Sequence, residues 1–297
     1  MVTWLASEDD LGLMQELATE VWRLRGPHVE HHAGNLAWSA YFASDALRES
    51  RRRLWLEGER CVAWGWVEEP SLLMFLVHPE RAELLGEVLE WAEAGETSAL
   101  EQDVATIAAL EEHGYVRCSL DEPFFAHLLH SLDDLAEQCR EVLDSTERLW
   151  EDAGDRLFRH AREEELERRV AVHRAAWSPS RATKESWRRV MGAYPYRPEL
   201  DCVVEAPDGA FAASCLVWLD DRTGVGLLEP VGTDTRFAGR GLARAVCVHA
   251  LRELRRHGGE AALVHARGDA AYPAPKRLYE TIGFREYARS PRFRRAG

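Results

Sequence analysis

The chain has 297 residues, 46% of them hydrophobic and 30% charged, an ordinary globular composition long enough for two medium cores. No apolar run approaches the roughly 18 residues of a membrane span, and Met1–Asp10 lacks the basic and apolar stretches of a secretory signal, so a cytoplasmic protein is expected. A net charge of −14 argues against nucleic-acid binding, and six cysteines without a C-x-x-C pair argue against a disulfide framework or a zinc ribbon.

In chain order, Leu11, Met14, Leu17, Ala18, Val21 and Trp22 recur at helical spacing and predict a helix over 8–25. Residues 26–35, rich in His and Gly, read as a loop; the spacing of His28, His31 and His32 matches no common metal site. Residues 53–57 and 60–67 form a hairpin pattern, 72–77 a strand, and 82–94 and 104–112 helices, the last stopped by Gly114. A helix over 131–144 is expected to link this half to the next.

The second half repeats the order. Helical patterns cover 163–177 and 184–192. Strands cover 200–206 and 210–219 around Pro207-Asp208-Gly209, and a third covers 225–233. Then come a helix over 241–257, a buried strand over 261–265, a short helix over 275–282 and a last strand over 284–290. The Arg-rich end through Arg295 reads as a strand with a solvated face. An internal duplication explains the repeated order, with units 1–145 and 146–297. Residues 1–145 hold 10 Lys and Arg against 29 Asp and Glu, and residues 146–297 hold 27 against 22. A basic half suits a phosphate-bearing ligand and an acidic half a cationic one; both could equally be solvated faces.

The stretch from Glu229 to Ala245 carries the chemistry. A strand enters a turn with Gly239 and Gly241, and the turn opens a helix. Free N–H groups at a helix start, glycines that let the backbone approach closely, and Arg236, Arg240 and Arg244 suit a pyrophosphate. Leu278, Tyr279, Gly283 and Phe284 follow downstream.

Arg236-x-x-Gly239-x-Gly241 and Leu278-Tyr279-x-x-x-Gly283-Phe284 together resemble the two signature motifs of the GNAT superfamily of acyl-CoA-dependent N-acetyltransferases. The resemblance covers about residues 150–297. The first half resembles the same fold in worn form: residues 81–86 lack the G-x-G, Glu83 and Glu87 stand where phosphates need donors, and position 110 is Leu rather than Tyr. The fold class implied is α/β, a tandem GNAT fold in which each half is a mixed, mostly antiparallel sheet flanked by helices. Residues 1–145 would be the degenerate domain and residues 146–297 the acetyltransferase domain with the acetyl-CoA site.

The resemblance implies acetyl-CoA as acyl donor and no metal. Val231, Gly232 and Thr233 would align the pantetheine arm. Arg236, Phe237, Ala238, Gly239, Arg240, Gly241, Leu242, Ala243 and Arg244 would hold the pyrophosphate. Pro230 cannot donate a ladder hydrogen bond and favours a bulge or splay, which the family uses to admit its cofactor. Tyr279 occupies the position of the general acid for the departing thiolate, although Tyr272 replaces a frequent Asn and Pro275 a small residue.

Direct transfer to an amine also needs a base. Glu229 is the leading candidate. It shares parity with Val231 and Thr233, and a carboxylate in an otherwise apolar strand is costly unless paired or used. A structural ion pair with Arg is the alternative role, and His173 and Asp201 are weaker candidate bases. Acceptor walls are expected from His173, Trp177, Ser178, Ser180, Tyr194 and Tyr196.

The expected function is acetyl transfer to a primary amine of a small molecule, a polycationic one if the acidic half steers it. No nucleic-acid or membrane partner is expected, and monomer and homodimer stay open. The rival readings are a non-catalytic acyl-CoA-binding or scaffolding module, a protein or peptide N-acetyltransferase, and a tandem GNAT of the mycothiol synthase type.

Overall fold

The computed structural model describes residues 2–3, 8–42, 50–68, 71–135, 142, 144–145, 148 and 157–296. The expected boundary near 135–150 and most of the expected helix over 131–144 lie outside these residues; the helix's start is a 3-10 turn, Leu132–Asp134. No helix among the described residues is long and apolar enough to cross a membrane.

The first half supplies β1 (Val2–Thr3), α1 (Glu8–Arg25), α2 (Ala33–Phe42), β2 (Arg51–Glu57), β3 (Arg60–Glu68), β4 (Leu72–Val77), α3 (Leu84–Ala92), β5 (Glu96–Ser98), α4 (Val104–Glu112), β6 (Tyr115–Arg117) and β7 (Phe125–Ser131). The second half supplies β8 (Phe158–His160), α5 (Leu166–Ala176), α6 (Lys184–Met191), β9 (Asp201–Glu205), β10 (Phe211–Asp220), β11 (Val225–Thr233), α7 (Leu242–Arg256), β12 (Ala261–Arg267), α8 (Ala274–Thr281), β13 (Arg285–Ser290) and β14 (Arg292–Arg295).

Two seven-stranded, mostly antiparallel sheets result, and each borrows one strand from the other half. The first runs β1-β2-β3-β4-β5-β14-β6 and the second β13-β7-β12-β11-β10-β9-β8. Strand β14 pairs Phe293 with Thr97 on one side and Arg117 on the other. Strand β7 pairs along its whole length with β12 and also with β13. A cut at residue 145 therefore divides the chain but not the sheets.

The expected solvated face of the Arg-rich end is only half right. Phe293 is fully buried in the first half's core, while Arg292 and Arg294 pair with Glu96, and Arg294 also reaches Glu122 at 2.8 Å. Burying one Phe is worth about 1.5–3 kcal/mol, and it ties the last strand to the acidic half.

On the second sheet, α7 and α8 cover one face with Leu242, Val246, Leu251 and Tyr279. Helix α2 of the first half and α6 cover the other around Trp218, Leu227 and Leu263. Helix α2 starts inside the segment read as a loop. Its sequence, AGNLAWSAYF, has no charged residue to mark either end, and its start is shaped instead by His32, whose Nδ1 accepts from Gly34 N–H at 3.0 Å.

His31, His127 and His265 gather where the halves meet. The rings of His127 and His265 lie 4.2 Å apart, and His127 Nε2 hydrogen-bonds Ser290 Oγ at 2.7 Å. Burial depresses His31 to about 4 and His127 to about 3, the latter helped by His31 nearby, so both rings are neutral.

Candidate active site

Strands β10 and β11 are antiparallel, with Cys215 opposite Val231 and Val217 opposite Leu228. Strand β11 thus carries one extra residue in the Glu229-Pro230 stretch, the bulge favoured by a residue that cannot donate. On its other side β11 pairs with β12 only over Val225–Leu227. Past Leu227 the parallel strands separate, and the edge of β11 from Leu228 to Thr233 faces an open V.

The bulge overturns the parity expected for Glu229. Leu228 and Val231 both pack toward the α7 core, so Glu229 does not share the face of Val231 by simple alternation. Its carbonyl accepts from Trp218 Nε1 at 2.6 Å, which pins the bulge to the sheet. Its carboxyl makes no ion pair among the described residues, and burial alone pushes it up to about 7. The alternative role in a structural ion pair with Arg is not formed.

Beyond β11, Asp234 caps the turn by accepting from Arg236 N–H at 2.9 Å. Gly239 and Gly241 sit at φ 76° and 77°, where a side chain would be strained. Gly241 then caps α7. The backbone N–H groups of residues 239–244 have no hydrogen-bond partner among the described residues. They form a row of donors at the positive end of a 15-residue helix. Arg236 is less free than expected: Nε and Nη2 both hold Asp234 Oδ2, at 3.0 and 2.7 Å. Arg240 and Arg244 are exposed.

Tyr279 projects from α8 and is buried edge-on against Phe284, with ring centroids 5.7 Å apart. Burial holds its phenol well above the usual value; Cys247, Cys215 and Glu229 nearby add to this. The phenol therefore keeps its proton at neutral pH and lies within electrostatic reach of Glu229. Tyr272 points outward under Arg267, and Pro275 is accommodated in the first turn of α8.

The sequence matches the model of the acetyltransferase (GNAT) family over residues 132–284. The chain belongs to the GNAT acetyltransferase family. The fold agrees across its whole length. A GCN5-related N-acetyltransferase from Sphaerobacter thermophilus superposes with TM-score 0.62 at 18% identity, covering 100% of this chain and 96% of that one. A tandem GNAT protein from the clavulanic acid biosynthesis pathway gives 0.58 at 16%, covering 99% and 96%. A GNAT-family acetyltransferase from Colwellia psychrerythraea gives 0.62 at 12%, covering 100% of both chains. Among curated proteins, no sequence matches this one. The GNAT fold is present in tandem.

The side of this GNAT cleft formed by α5 and α6 is aromatic. Trp177, just past α5, leans over the end of β11: a Cβ on Gly232 would lie 3.1 Å from its indole nitrogen. Trp177 stacks with His173 at 6.4 Å, and His173 packs against Trp187 at 5.4 Å. His173 is pushed down to about 3 by burial and then by Arg169, which leaves it neutral.

Tyr194 and Tyr196 part ways: Tyr194 turns from the cleft, and Tyr196 packs in the cluster that also holds Trp38, Phe42 and Trp218. The Tyr194 ring lies by Arg222 and Asp220, at the hairpin end of β10 away from Glu229. Tyr196 packs on Trp218 and hydrogen-bonds Asp201 Oδ2 at 3.3 Å, inside the core. Asp201 is likewise committed, holding buried Arg169 at 2.7 Å.

Trp38 and Phe42 escaped the sequence reading. Both stand on α2 and meet His173, at 5.7 and 4.9 Å. Their spacing, one helical turn apart on the face opposite Ala33, Leu36, Ala37 and Ala40, is the available signal.

The first half keeps the GNAT splay but fills it. Strands β4 and β5 pair in parallel only at Leu72 and Leu73. Into the gap beyond come Glu30, bonded to Ser98 Oγ, and His31, bonded to the backbone of Phe75. The turn before α3 opens as the turn before α7 does, where Asp234 Oδ1 holds Arg236 N–H and Asp234 C=O holds Phe237 N–H, both at 2.9 Å. In the first half Pro79 has no N–H, Glu80 N–H is held by His78 Nδ1 at 3.2 Å, and Arg81 N–H by His78 C=O at 2.8 Å. Among the described residues no group of three His, Cys, Asp or Glu is placed to hold a metal ion.

Proposed function

We propose that the chain is an acetyl-CoA-dependent N-acetyltransferase that acts by direct transfer on a primary amine of a small molecule. The observation that carries this reading is the convergence of three features on one cleft: the open edge of β11, the row of free N–H groups at 239–244, and a Glu229–Tyr279 pair with complementary protonation.

The residues present suit the donor. Unpaired backbone along Val231–Thr233 can hydrogen-bond an amide-bearing arm, and the N–H row with Arg240 and Arg244 can hold its diphosphate. Thr233 Oγ1 is buried without a partner at the strand's end, which leaves a further donor for that arm. Acetyl-CoA supplies an activated thioester.

Glu229, poised near 7, removes a proton from the acceptor ammonium, directly or through water, so that the nitrogen gains a lone pair. The C–N bond forms as the C–S bond breaks. Tyr279 gives its phenolic proton to the departing sulfur and regains one from the cleft. The products are the N-acetyl amine and CoA thiol. Rates should rise with pH through about 7 as Glu229 ionises.

The test is release of free thiol from acetyl-CoA with pooled aminoglycosides, polyamines, aromatic amines, amino acids and short peptides. Release that depends on one pool is the expected result. Acetyl-CoA binding without release from any pool would replace this reading with a non-catalytic binding module.

A further inference from the structure

We infer that helix α2 of the first half is the acceptor wall of the second half's cleft, and that it selects an amine carried on an aromatic rather than a polycationic skeleton. This deepens the acetyltransferase reading above and rests on it.

The position of α2 is fixed by close packing. Gly34 lies so near Trp218 that a Cβ there would be 2.2 Å from the Trp218 Cβ. Trp218 is the residue whose indole N–H holds the Glu229 carbonyl. Helix α2 is therefore anchored directly over the bulge that presents the candidate base.

From this anchored helix, Trp38 and Phe42 project as a stacked pair, centroids 4.1 Å apart and only part-buried. Both rings meet Trp187 edge-on, at 5.7 and 6.5 Å, as well as His173. Through His173 they join Trp177, which is 53% exposed and covers Gly232 at the end of β11. A contiguous aromatic cluster thus runs from the open edge of β11 to α6, with Trp177, Trp38 and Phe42 as its accessible rings and buried His173 and Trp187 joining them.

Its electrostatics oppose a polycation. Arg169 is fully buried beneath the rings, 4.1 Å over Trp187, and its Nη1 and Nη2 have no hydrogen-bond partner. His173 beside it is neutral. The carboxylate of Asp201 is already engaged by Arg169 and Tyr196. Two carboxylates of the first half, Glu96 and Glu122, are turned away to hold the basic β14. A chain of ammonium groups would meet a closed Arg169–Asp201 pair and, among the described residues of this cleft, no unpaired carboxylate except Glu229. An aromatic amine gains ring stacking instead.

The experiment compares 2-phenylethylamine with spermidine on the full chain, wild type and the Trp38→Leu and Phe42→Leu variants. Three quantities are read: kcat/KM for each amine, the acetyl-CoA Kd, and calorimetric binding of each amine to CoA-loaded protein. The expected result is at least tenfold higher kcat/KM for phenylethylamine. Either variant should erase most of that preference while the acetyl-CoA Kd moves less than twofold.

A preference for spermidine, or an aromatic preference unchanged in both variants, would overturn the inference and leave the acetyltransferase reading intact. If neither amine is turned over although acetyl-CoA binds, the acetyltransferase reading fails for these amines. The binding measurement then decides the wall alone: tighter phenylethylamine binding that Trp38→Leu abolishes sustains it, and equal binding of the two amines ends it.

Discussion

The two halves build the same splayed pair of parallel strands and put it to opposite uses. Between β11 and β12 the gap opens onto a glycine turn whose N–H groups from 239 to 244 have no partner among the described residues. Between β4 and β5 it is filled by Glu30 and His31, and the turn beyond carries acidic residues and no positive-φ glycine. The splay is therefore not enough to make a cofactor site. What separates the clefts is the filled gap of the first, the two glycines in the turn of the second, and the charge beside each turn: Arg240 and Arg244 against Glu80, Glu83 and Glu87. A duplicated fold can keep its shape for bracing while losing its chemistry, because shape depends on apolar packing and chemistry on unpaired polar groups.

The contrast can be broken most severely at the reacting groups. Glu229→Gln and Tyr279→Phe are each expected to lower kcat by about 10²–10⁴-fold with little change in acetyl-CoA Kd, measured by thiol release and calorimetry. The acid limb near pH 7 should vanish in Glu229→Gln.

Next in size is the physical link between the clefts. Phe293→Ala removes the buried residue by which the last strand enters the first sheet, and should cost about 3–5 kcal/mol in urea unfolding. A smaller loss would mean that the exchanged strand is held mainly by Arg292 and Arg294.

The histidines at the junction give a pH signature. Because folded His31 and His127 titrate at about 4 and about 3, below the unfolded value, the unfolded chain binds more protons as pH falls. Stability is full above about 6.5 and is lost below it, by roughly 2 kcal/mol per histidine between pH 6.5 and 5. Glu30, raised by burial to about 7, works the other way over the same range and offsets part of this. The urea midpoint at pH 7.5 and 5 measures the sum, and His127→Gln should flatten the difference.

Smallest, and most specific to the contrast, is the turn. Gly241→Val strains φ 77° and crowds the donors, so acetyl-CoA Kd should rise about tenfold, roughly 1.4 kcal/mol. Glu83→Ala at the matching turn of the first half should leave Kd within twofold.

How much of this could be read beforehand follows from sequence distance. The glycine turn, α7 and the Tyr279 helix are local patterns, and they stand where the spacing put them. The strand exchange is not local: β14 pairs with strands roughly two thirds of the chain away, and one Phe among arginines gives no alternation long enough to reveal a buried strand. Helix α2 was hidden because its ends carry no charges and its neighbours are His and Gly. The parity of Glu229 failed at the very bulge that Pro230 made foreseeable. Tyr194 and Tyr196 were chosen for residue type, and only the packing separates them, Tyr196 in the cluster of Trp38 and Phe42 and Tyr194 out by Asp220 and Arg222.

The central claim is that one cleft of two takes the donor. Calorimetric titration of the full chain with acetyl-CoA tests it most directly. The account predicts one molecule bound per chain, with affinity weakened by Gly241→Val and untouched by Glu83→Ala. Two molecules per chain, or binding that Gly241→Val leaves unchanged, would contradict it.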